Sequence, residues 1–269
     1  MRNTILVFVF ISLFVPFAKA RTTYNFNSAW KLFVGDQTGA EKVDFDDSAW
    51  KNVTIPRPWN EDEAFRKDIK DLPTGVAWYR KHFKLPAGSS GKKIFLEFEG
   101  IRFGGEFYLN GKFIGRSDNG IMAFGFDITD ALVVGENVLA ARVDNSWDFR
   151  EKSSNSTFQW NDKNFNANYG GINKNVWLHI TDKLYQTLPL YSNLQTTGVY
   201  IYAGDIDVAK RSAFIAVETE VRNEHPVGKN VIYEVIIQDA SGRIVEKTSG
   251  SRYRISGGET KKFAVYPRL

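Results

Sequence analysis

The segment from residue 144 to 171 carries the side chains best suited to chemistry in this chain of 269 residues. Ala167 is its only aliphatic residue, and large aromatic side chains are interleaved with asparagines. A flat ring packs on the C–H face of a sugar, while an amide donates to one hydroxyl and accepts from the next. The segment therefore indicates sugar contact, with Trp147 and Trp160 as candidates. The alternative is an aromatic flap that covers a sheet edge or docks onto another domain.

Other kinds of chemistry have little support in the residue types. Cysteine is absent, which excludes disulfides, thiolate zinc sites and a cysteine nucleophile. The histidines His82, His179 and His225 lie far apart without metal-ligand spacing, so we expect no metal and no cofactor. The chain has no Gly-x-Ser-x-Gly motif and no phosphate-binding glycine loop. Asp144 with nearby carbonyls could hold a hard cation, the alternative being a turn-capping carboxylate.

The charge pattern argues against nucleic acid as a partner. The net charge is +4, and it falls to +2 once Arg2 and Lys19 are removed with the segment described next. The densest basic stretch, Arg80–Lys84, alternates between two faces if it forms a strand. A surface that follows a phosphate backbone needs clustered positive charge, so we expect no nucleic-acid binding.

Residues 1–20 have the pattern of a secretory signal peptide. Arg2 precedes an apolar run from Ile5 to Phe17, and Ala18-Lys19-Ala20 has the small-x-small form of a cleavage site. An uncleaved anchor is the alternative, but the run is short for about 30 Å of hydrocarbon. We expect an exported protein, periplasmic, secreted or on a bacterial surface, with no membrane span after cleavage. Export without cysteine fits a bacterium.

The rest of the chain reads as β-structure with frequent turns. Ala77–Leu85 and Val138–Asp144 alternate in polarity, and Asn110-Gly111 between apolar runs predicts a tight hairpin. A boundary is expected near Thr181–Leu190, followed by alternating strands of an immunoglobulin-like sandwich. Only about 75 residues follow that boundary, against about 100 in a typical domain of this kind, so this second sandwich is expected to be incomplete.

Several short motifs in a fixed order resemble glycoside hydrolase family 2, which includes β-galactosidases, β-glucuronidases and β-mannosidases. The resemblance covers about residues 28–181, and the order and spacing of the pieces make it specific. The motifs are Phe45–Pro56 with Trp59-Asn60, Gly75–Lys81, Leu96–Gly100, Tyr108–Lys112, Phe126–Asp130, Gly135–Leu139, Arg142–Ser146, Gly170–Ile172 and Asn175–Leu178.

The resemblance implies an all-β chain: a jelly-roll sugar-binding domain over residues 21–182 and part of an immunoglobulin-like domain over 183–269. The family's catalytic glutamates lie in a third domain, a (β/α)₈ barrel that is missing here, so no catalytic residue is assigned. The parent protein would be a retaining glycosidase acting on terminal β-linked sugars, with galactoside or glucuronide as the leading substrates, and the fragment alone would be inactive. A stand-alone carbohydrate-binding or adhesion module is the alternative.

The resemblance also implies two site residues. In some family members a polar residue from the segment after the strand ending at Val143 enters the sugar site of the barrel. Here that segment begins with Asp144 and Asn145. The expected partners are a glycan or oligosaccharide and the missing barrel. The family's usual Gly-Ile-Tyr-Arg is replaced by Gly-Ile-Asn-Lys over residues 171–174.

Overall fold

The computed structural model describes residues 21–157 and 167–268, and strands dominate it. The first twelve strands are β1 Arg21–Asn25, β2 Trp30–Val34, β3 Lys51–Val53, β4 Arg57–Pro58, β5 Val76–Lys84, β6 Lys93–Phe98, β7 Gly104–Leu109, β8 Lys112–Ser117, β9 Phe124–Asp127, β10 Glu136–Asp144, β11 Gly171–Ile172 and β12 Val176–Thr181. Six more follow: β13 Leu184–Gln186, β14 Val199–Asp207, β15 Ser212–Asn223, β16 Lys229–Gln238, β17 Ile244–Ile255 and β18 Thr260–Val265.

In the part of the chain that the structure describes, helical structure is confined to single turns. These are α1 Glu61–Ala64, α2 Tyr191–Leu194, which has non-helical dihedral angles inside it, and 3₁₀ turns at Ile69–Asp71 and Thr129–Ala131. Within residues 21–157 and 167–268, no helix has the length and apolar character needed to span a bilayer.

The first twelve strands form a jelly-roll sandwich, which confirms the predicted fold class. One sheet has the order β1-β12-β6-β9, and the other has the order β3-β2-β5-β10-β7-β8. Neighbouring strands in both sheets are antiparallel. A two-stranded ladder of β4 and β11 closes one end of the sandwich. The ladder joins residues that are more than 110 positions apart in the chain.

The predicted Asn-Gly hairpin joins β7 and β8. Asn110 and Gly111 both have positive φ, at 53° and 77°, as a type I′ turn requires. Asn110 also ties the turn to β10, because its Oδ1 accepts the N–H of Val138 at 2.9 Å. The turn therefore fixes the register of three strands.

The main core lies between the two sheets of the jelly roll. From β10, Leu139, Ala141 and Val143 point inward and are buried. They meet the opposite sheet, where the rings of Phe98 and Phe124 stack at 5.1 Å. Burying a large apolar side chain of this kind contributes about 1.5–3 kcal/mol. The alternation of β10 thus builds one half of the core.

A second apolar layer covers the outer face of the six-stranded sheet. The loop that contains Ala40 and Trp50 folds over this face and buries Trp78 and Ala140. Arg80 lies beneath the loop with none of its surface exposed. Its Nε donates to Asp47 Oδ2 at 2.8 Å. The charge of Arg80 is therefore compensated inside the protein.

The last six strands form a smaller sandwich of the predicted immunoglobulin-like type. β15 pairs with β13, β14 and β18, and β16 with β17 forms a separate hairpin. The buried apolar side chains in its described strands are few, namely Tyr185, Ala216, Val217, Ile255 and Phe263. A cavity of about 410 Å³ lies between β13 and the hairpin. Sheet membership changes between Thr181 and Leu184, and the predicted limits of 21–182 and 183–269 stay predictions.

The two sandwiches meet at a small apolar and ionic junction. Phe95 packs with Tyr185, Leu188 and Leu190. Beside them, Lys93 Nζ lies 2.5 Å from Asp127 Oδ2 and 2.9 Å from a Glu224 carboxylate oxygen. An ion pair that crosses the junction fixes the orientation of the second sandwich more strongly than apolar contacts alone, because its geometry is directional.

Candidate functional site

One end of the jelly roll gathers the loops that the sequence singled out. We call it the loop end: residues 54–75, 99–103, 144–157 and 167–175. β5 and β7 begin here and β10 ends here. Arg102 and Gly171 exchange two backbone hydrogen bonds of 3.1 Å, so loops far apart in the chain are held edge to edge.

Gly171 allows this close approach. Its φ is 105°, and a Cβ placed on it would lie 2.1 Å from Tyr79 Oη. Tyr79 is fully buried, and its hydroxyl donates to the carbonyl of Arg57 at 2.6 Å. Burial raises the pKa of Tyr79, so the hydroxyl remains a donor. Gly171 thus allows the β4–β11 ladder to pack directly against Tyr79 of the core.

Three buried asparagines hold the loops together. Asn60, Asn145 and Asn168 are each at most 1% exposed. Asn145 Nδ2 donates to the carbonyl of Asn168 at 3.0 Å, and Asn168 Nδ2 donates to the carbonyl of Asn145 at 2.7 Å. Asn60 Nδ2 reaches the same Asn168 carbonyl at 2.8 Å. These side-chain amides pair with backbone carbonyls that no strand ladder would otherwise satisfy.

Asn145 was predicted to contact sugar, and the structure places it inside this network. Its Oδ1 accepts the N–H of Gly75 at 3.1 Å, and its Nδ2 is taken up by Asn168. In this arrangement no polar group of the side chain points to solvent. Its geometry is that of a residue that positions the loop, and its predicted contact with sugar stays a prediction.

Asp144 and Trp147 lie nearer the surface. Asp144 ends β10, and its Oδ1 accepts from the N–H of Ser146 at 2.8 Å and from its hydroxyl at 2.6 Å. That is the geometry of a turn-capping carboxylate. Trp147 is half-buried. Trp160, the fourth predicted residue, lies outside the described residues.

The described part of the aromatic segment packs onto the sandwich. Phe149 is 9% exposed, and its ring lies 6.3 Å from that of Phe103 in a stacked arrangement. Gly104 makes room for it, because a Cβ there would lie 2.1 Å from Phe149 Cζ. The guanidinium of Arg116 lies 5.8 Å from the same ring. Phe149 therefore packs onto the sandwich, as expected if this segment is an aromatic flap.

Arg102 is a residue of the loop end that sequence reasoning missed. Its Nε donates to Asn168 Oδ1 at 3.2 Å, and its guanidinium lies 4.8 Å from the ring of Phe103. Its Nη2 is buried without a hydrogen-bond partner, and burial lowers the pKa of this residue. Trp59 Nε1 and Asn173 Oδ1 are also buried without a hydrogen-bond partner, and both residues flank the β4–β11 ladder. Their placement depends on long-range pairing, which no local pattern signals.

Several charged groups in and beside the loop end are engaged in ion pairs and hydrogen bonds that hold the loops. Asp118 pairs with Arg116, and its Oδ2 accepts the N–H of Lys152 at 2.8 Å. Arg57 pairs with Glu61 and, at 2.7 Å, with Asp62. Over residues 21–157 and 167–268, no group of three or more His, Asp or Glu side chains is arranged to hold a metal ion.

The sequence of the chain is similar to those of known glycosidases. Residues 51–177 match the family described as glycosyl hydrolase 2 galactose-binding domain-like. A β-glucuronidase of Formosa agariphila is 40% identical over 93% of this chain, and the match covers 26% of that protein. A β-galactosidase of Bacteroides ovatus is 30% identical over 89% of this chain and 26% of its own length.

Solved structures give the same result. A β-glucuronidase of glycoside hydrolase family 2 superimposes with a TM-score of 0.83 at 36% identity, covering 94% of this chain and 27% of that one. β-Glucuronidase 2 of Bacteroides uniformis, solved covalently bound to cyclophellitol-6-carboxylate aziridine, superimposes with a TM-score of 0.79 at 27% identity, covering 93% and 28%. The chain spans about a quarter of the length of these relatives.

Proposed function

Because this chain carries the galactose-binding domain-like module of glycosyl hydrolase family 2, we propose that it serves as the N-terminal, non-catalytic part of a longer glycosidase of that family. The observation that supports this most is the pair of coverages: nearly all of this chain aligns with about a quarter of each relative. The family resemblance inferred from the sequence is confirmed by the match over residues 51–177.

The whole protein would hydrolyse terminal β-linked sugars. A β-glucuronide is the favoured candidate substrate, and a β-galactoside is the alternative. The β-glucuronidase of Formosa agariphila is 40% identical to this chain, against 30% for the β-galactosidase, which favours that order. Retaining chemistry uses two carboxylates about 5–5.5 Å apart, one acting as a nucleophile and the other as an acid and base. We assign neither role to a residue of this chain, and we expect the chain alone to be inactive.

The loop end is the part of the chain that we expect to approach the sugar. Asp144 and Trp147 are partly exposed there, while the buried Asn145 holds the loop through its hydrogen bonds. Trp160 belongs to the same loop by sequence. In this assignment the jelly roll supplies the wall of a sugar site whose reacting groups come from elsewhere in the protein.

We also propose that the protein is exported. The support is the charged, apolar and small-x-small pattern of residues 1–20 in the sequence. N-terminal sequencing of the mature protein from the native cell envelope would be expected to begin at Arg21. A mature protein that still begins at Met1 would refute export by this route.

The test of the proposed function starts from the gene. Reading on past the codon for Leu269 should reveal a continuing catalytic domain. The complete protein should then release nitrophenol from a β-glucuronide, and NMR should detect the β-anomer of the sugar first if the reaction retains configuration. This chain alone should release none. Activity of this chain alone, or inactivity of the complete protein on every β-glycoside, would refute the proposal.

A further inference from the structure

A groove lies at the end of the jelly roll opposite the loop end. It is formed where β5 and β12 end and where β6 and β10 begin. Its volume is about 520 Å³, within the range of roughly 300–1,000 Å³ that is typical of small-molecule sites. Leu85, Ile94 and Leu132 form its apolar floor. The size and the floor alone do not say what binds there.

Both walls of the groove are rigid. The turn at Val133–Gly135 is held from behind by Asn137, which is fully buried. Asn137 Oδ1 accepts the N–H of Val133 at 2.9 Å, and its Nδ2 donates to the carbonyls of Val133 and Gly135. On the other wall, the hydroxyl of Ser89 donates to the carbonyl of Pro86 at 2.6 Å. A preorganised site loses little entropy when it binds.

The wall turn also exposes apolar surface. Val133 is 50% exposed and Val134 is fully exposed. Because Asn137 fixes the turn, these side chains are held outward by the fold. Apolar side chains held out beside a groove offer a surface for the C–H face of a ligand.

The charged side chains that line the groove are all lysines. Three lysines line it: Lys84, Lys92 and Lys183. Lys92 is compensated, since its Nζ lies 2.8 Å from Asp182 Oδ2. Glu136 lies opposite Lys84 in the β5–β10 register, but its carboxylate is 3.5 Å from His82 Nδ1. Among the described residues, neither Lys84 nor Lys183 forms a salt bridge, so both ammonium groups are available to an anionic ligand.

We propose that this groove binds an acidic sugar unit of a polyanionic glycan, with the carboxylate or sulfate on Lys84 and Lys183 and the C–H face on the apolar floor and the Val133–Gly135 wall. The charge complementarity selects an anion, and the apolar floor favours a ring over a free inorganic ion. This inference rests on the proposed function, because a glycan is the substrate class it assumes. The groove would hold the polymer at the end of the jelly roll remote from the loop end.

The test measures binding of short oligosaccharides to the purified chain by calorimetry at low and high salt. An oligogalacturonate supplies carboxylates, a carrageenan oligosaccharide supplies sulfates, and a galacto-oligosaccharide of equal length is neutral. At least one acidic probe should bind, more weakly at high salt, and the neutral probe should not. Binding of only one acidic probe identifies the acid group and supports the proposal.

Charge reversal locates the site. The double variant Lys84→Glu/Lys183→Glu should weaken binding by about tenfold, since it removes both positive partners of the acid group and adds repulsion. Val134→Asp should also weaken binding, although it leaves all three lysines of the groove in place. The matched control, Lys51→Glu/Lys112→Glu, changes two exposed lysines on the six-stranded sheet and should leave the affinity unchanged.

Three results would overturn the inference: equal binding of the neutral probe, no binding of either acidic probe, or equal loss of affinity in the control variant. Failure of the proposed function looks different. A complete protein that cleaves β-glycosides while the groove binds nothing rejects the groove alone. A groove that binds acidic sugars in a protein without glycosidase activity rejects the proposed function and leaves the site.

Discussion

At the scale of single residues, buried polar side chains decide the shape of the loops. Asn60, Asn145 and Asn168 link loops beyond the short β4–β11 ladder, and Arg80 ties down the loop that covers the six-stranded sheet. An unpaired backbone group costs free energy when it is buried, so irregular segments need such partners. Within the aromatic segment, Asn145 and Asn168 therefore serve to hold the loop in place.

Gly171→Ala should destabilise the jelly roll by about 3 kcal/mol, because it combines a left-handed φ with a clash at the hydroxyl of Tyr79. Urea unfolding followed by tryptophan fluorescence measures the change. Gly88→Ala is the matched control: its φ is 82°, but an added Cβ would meet nothing within 4 Å. The control should cost only about 1 kcal/mol. Equal losses in the two variants would show that the contact with Tyr79 does not matter.

Asp47→Asn should cost about 3–5 kcal/mol at neutral pH, because it leaves the buried Arg80 guanidinium without its anionic partner. Asp46→Asn is the control, since Asp46 is exposed and makes no salt bridge among the described residues. Unfolding free energies of the three proteins, measured at several pH values, give both the loss and its pH dependence.

The same pair predicts how stability responds to acid. Burial raises the pKa of Asp47, but hydrogen bonds from Arg80 and His82 outweigh it, and the net pKa is lowered. A carboxyl whose pKa is lower in the folded state stabilises the fold above its unfolded pKa of about 3.9, and that contribution disappears as pH falls through the folded value. Below about pH 4 the Asp47→Asn protein should therefore lose less stability than the wild type. Parallel acid curves would contradict this account.

At the scale of elements, β14 is an edge strand with an unusual surface. Tyr200, Ile201 and Tyr202 are 39–62% exposed, and within the described ranges β14 pairs only with β15. An exposed, apolar edge offers unpaired N–H and C=O groups to a second molecule. Such an edge is expected to need cover in the complete protein.

Ile201→Lys should reduce aggregation of the isolated chain and change its unfolding free energy by less than about 0.5 kcal/mol, because a charge on an edge strand opposes edge-to-edge pairing. Light scattering against concentration, together with urea unfolding, checks both parts. Ile121→Lys serves as the control, since Ile121 is 51% exposed but lies in a loop. If both variants lowered aggregation equally, general charge and not the β14 edge would be responsible.

Much of the strand pattern could be predicted because alternation is local. The strand expected over Ala77–Leu85 is β5 at Val76–Lys84, and the one expected over Val138–Asp144 is β10. Strand alternation also puts Arg80 on the face of β5 that points away from the core, where a side chain is expected to be exposed. Alternation could not show that a loop some 35 positions earlier in the chain covers that face. Nor did it find β14, whose Tyr-Ile-Tyr run does not alternate. For the candidate site, residue type singled out a loop to examine, but burial, which separates Asn145 from the half-buried Trp147, depends on tertiary contacts.

At the scale of the whole molecule, the two sandwiches differ in how well they are filled. The jelly roll has a continuous core that includes Trp30, Tyr79 and Phe107, all fully buried. The second sandwich buries few large side chains and leaves Ile232, Ile236 and Tyr253 at least 36% exposed. Stability grows with the apolar area that is removed from water, so it should be concentrated in the first sandwich.

Hydrogen exchange followed by mass spectrometry should therefore separate the two halves of this chain. Amides of β5, β6, β10 and β12 should exchange slowly through global unfolding, while those of β14, β16 and β17 should exchange much faster through opening of the second sandwich. The junction at Phe95 and Tyr185 should be intermediate, because Lys93 ties it to Glu224 at 2.9 Å. In the complete protein, contacts with further chain should slow exchange in β14 more than in β5. Equal protection of both sandwiches in the isolated chain, with one cooperative melting transition, would mean that the sparse core suffices and that β14 needs no cover.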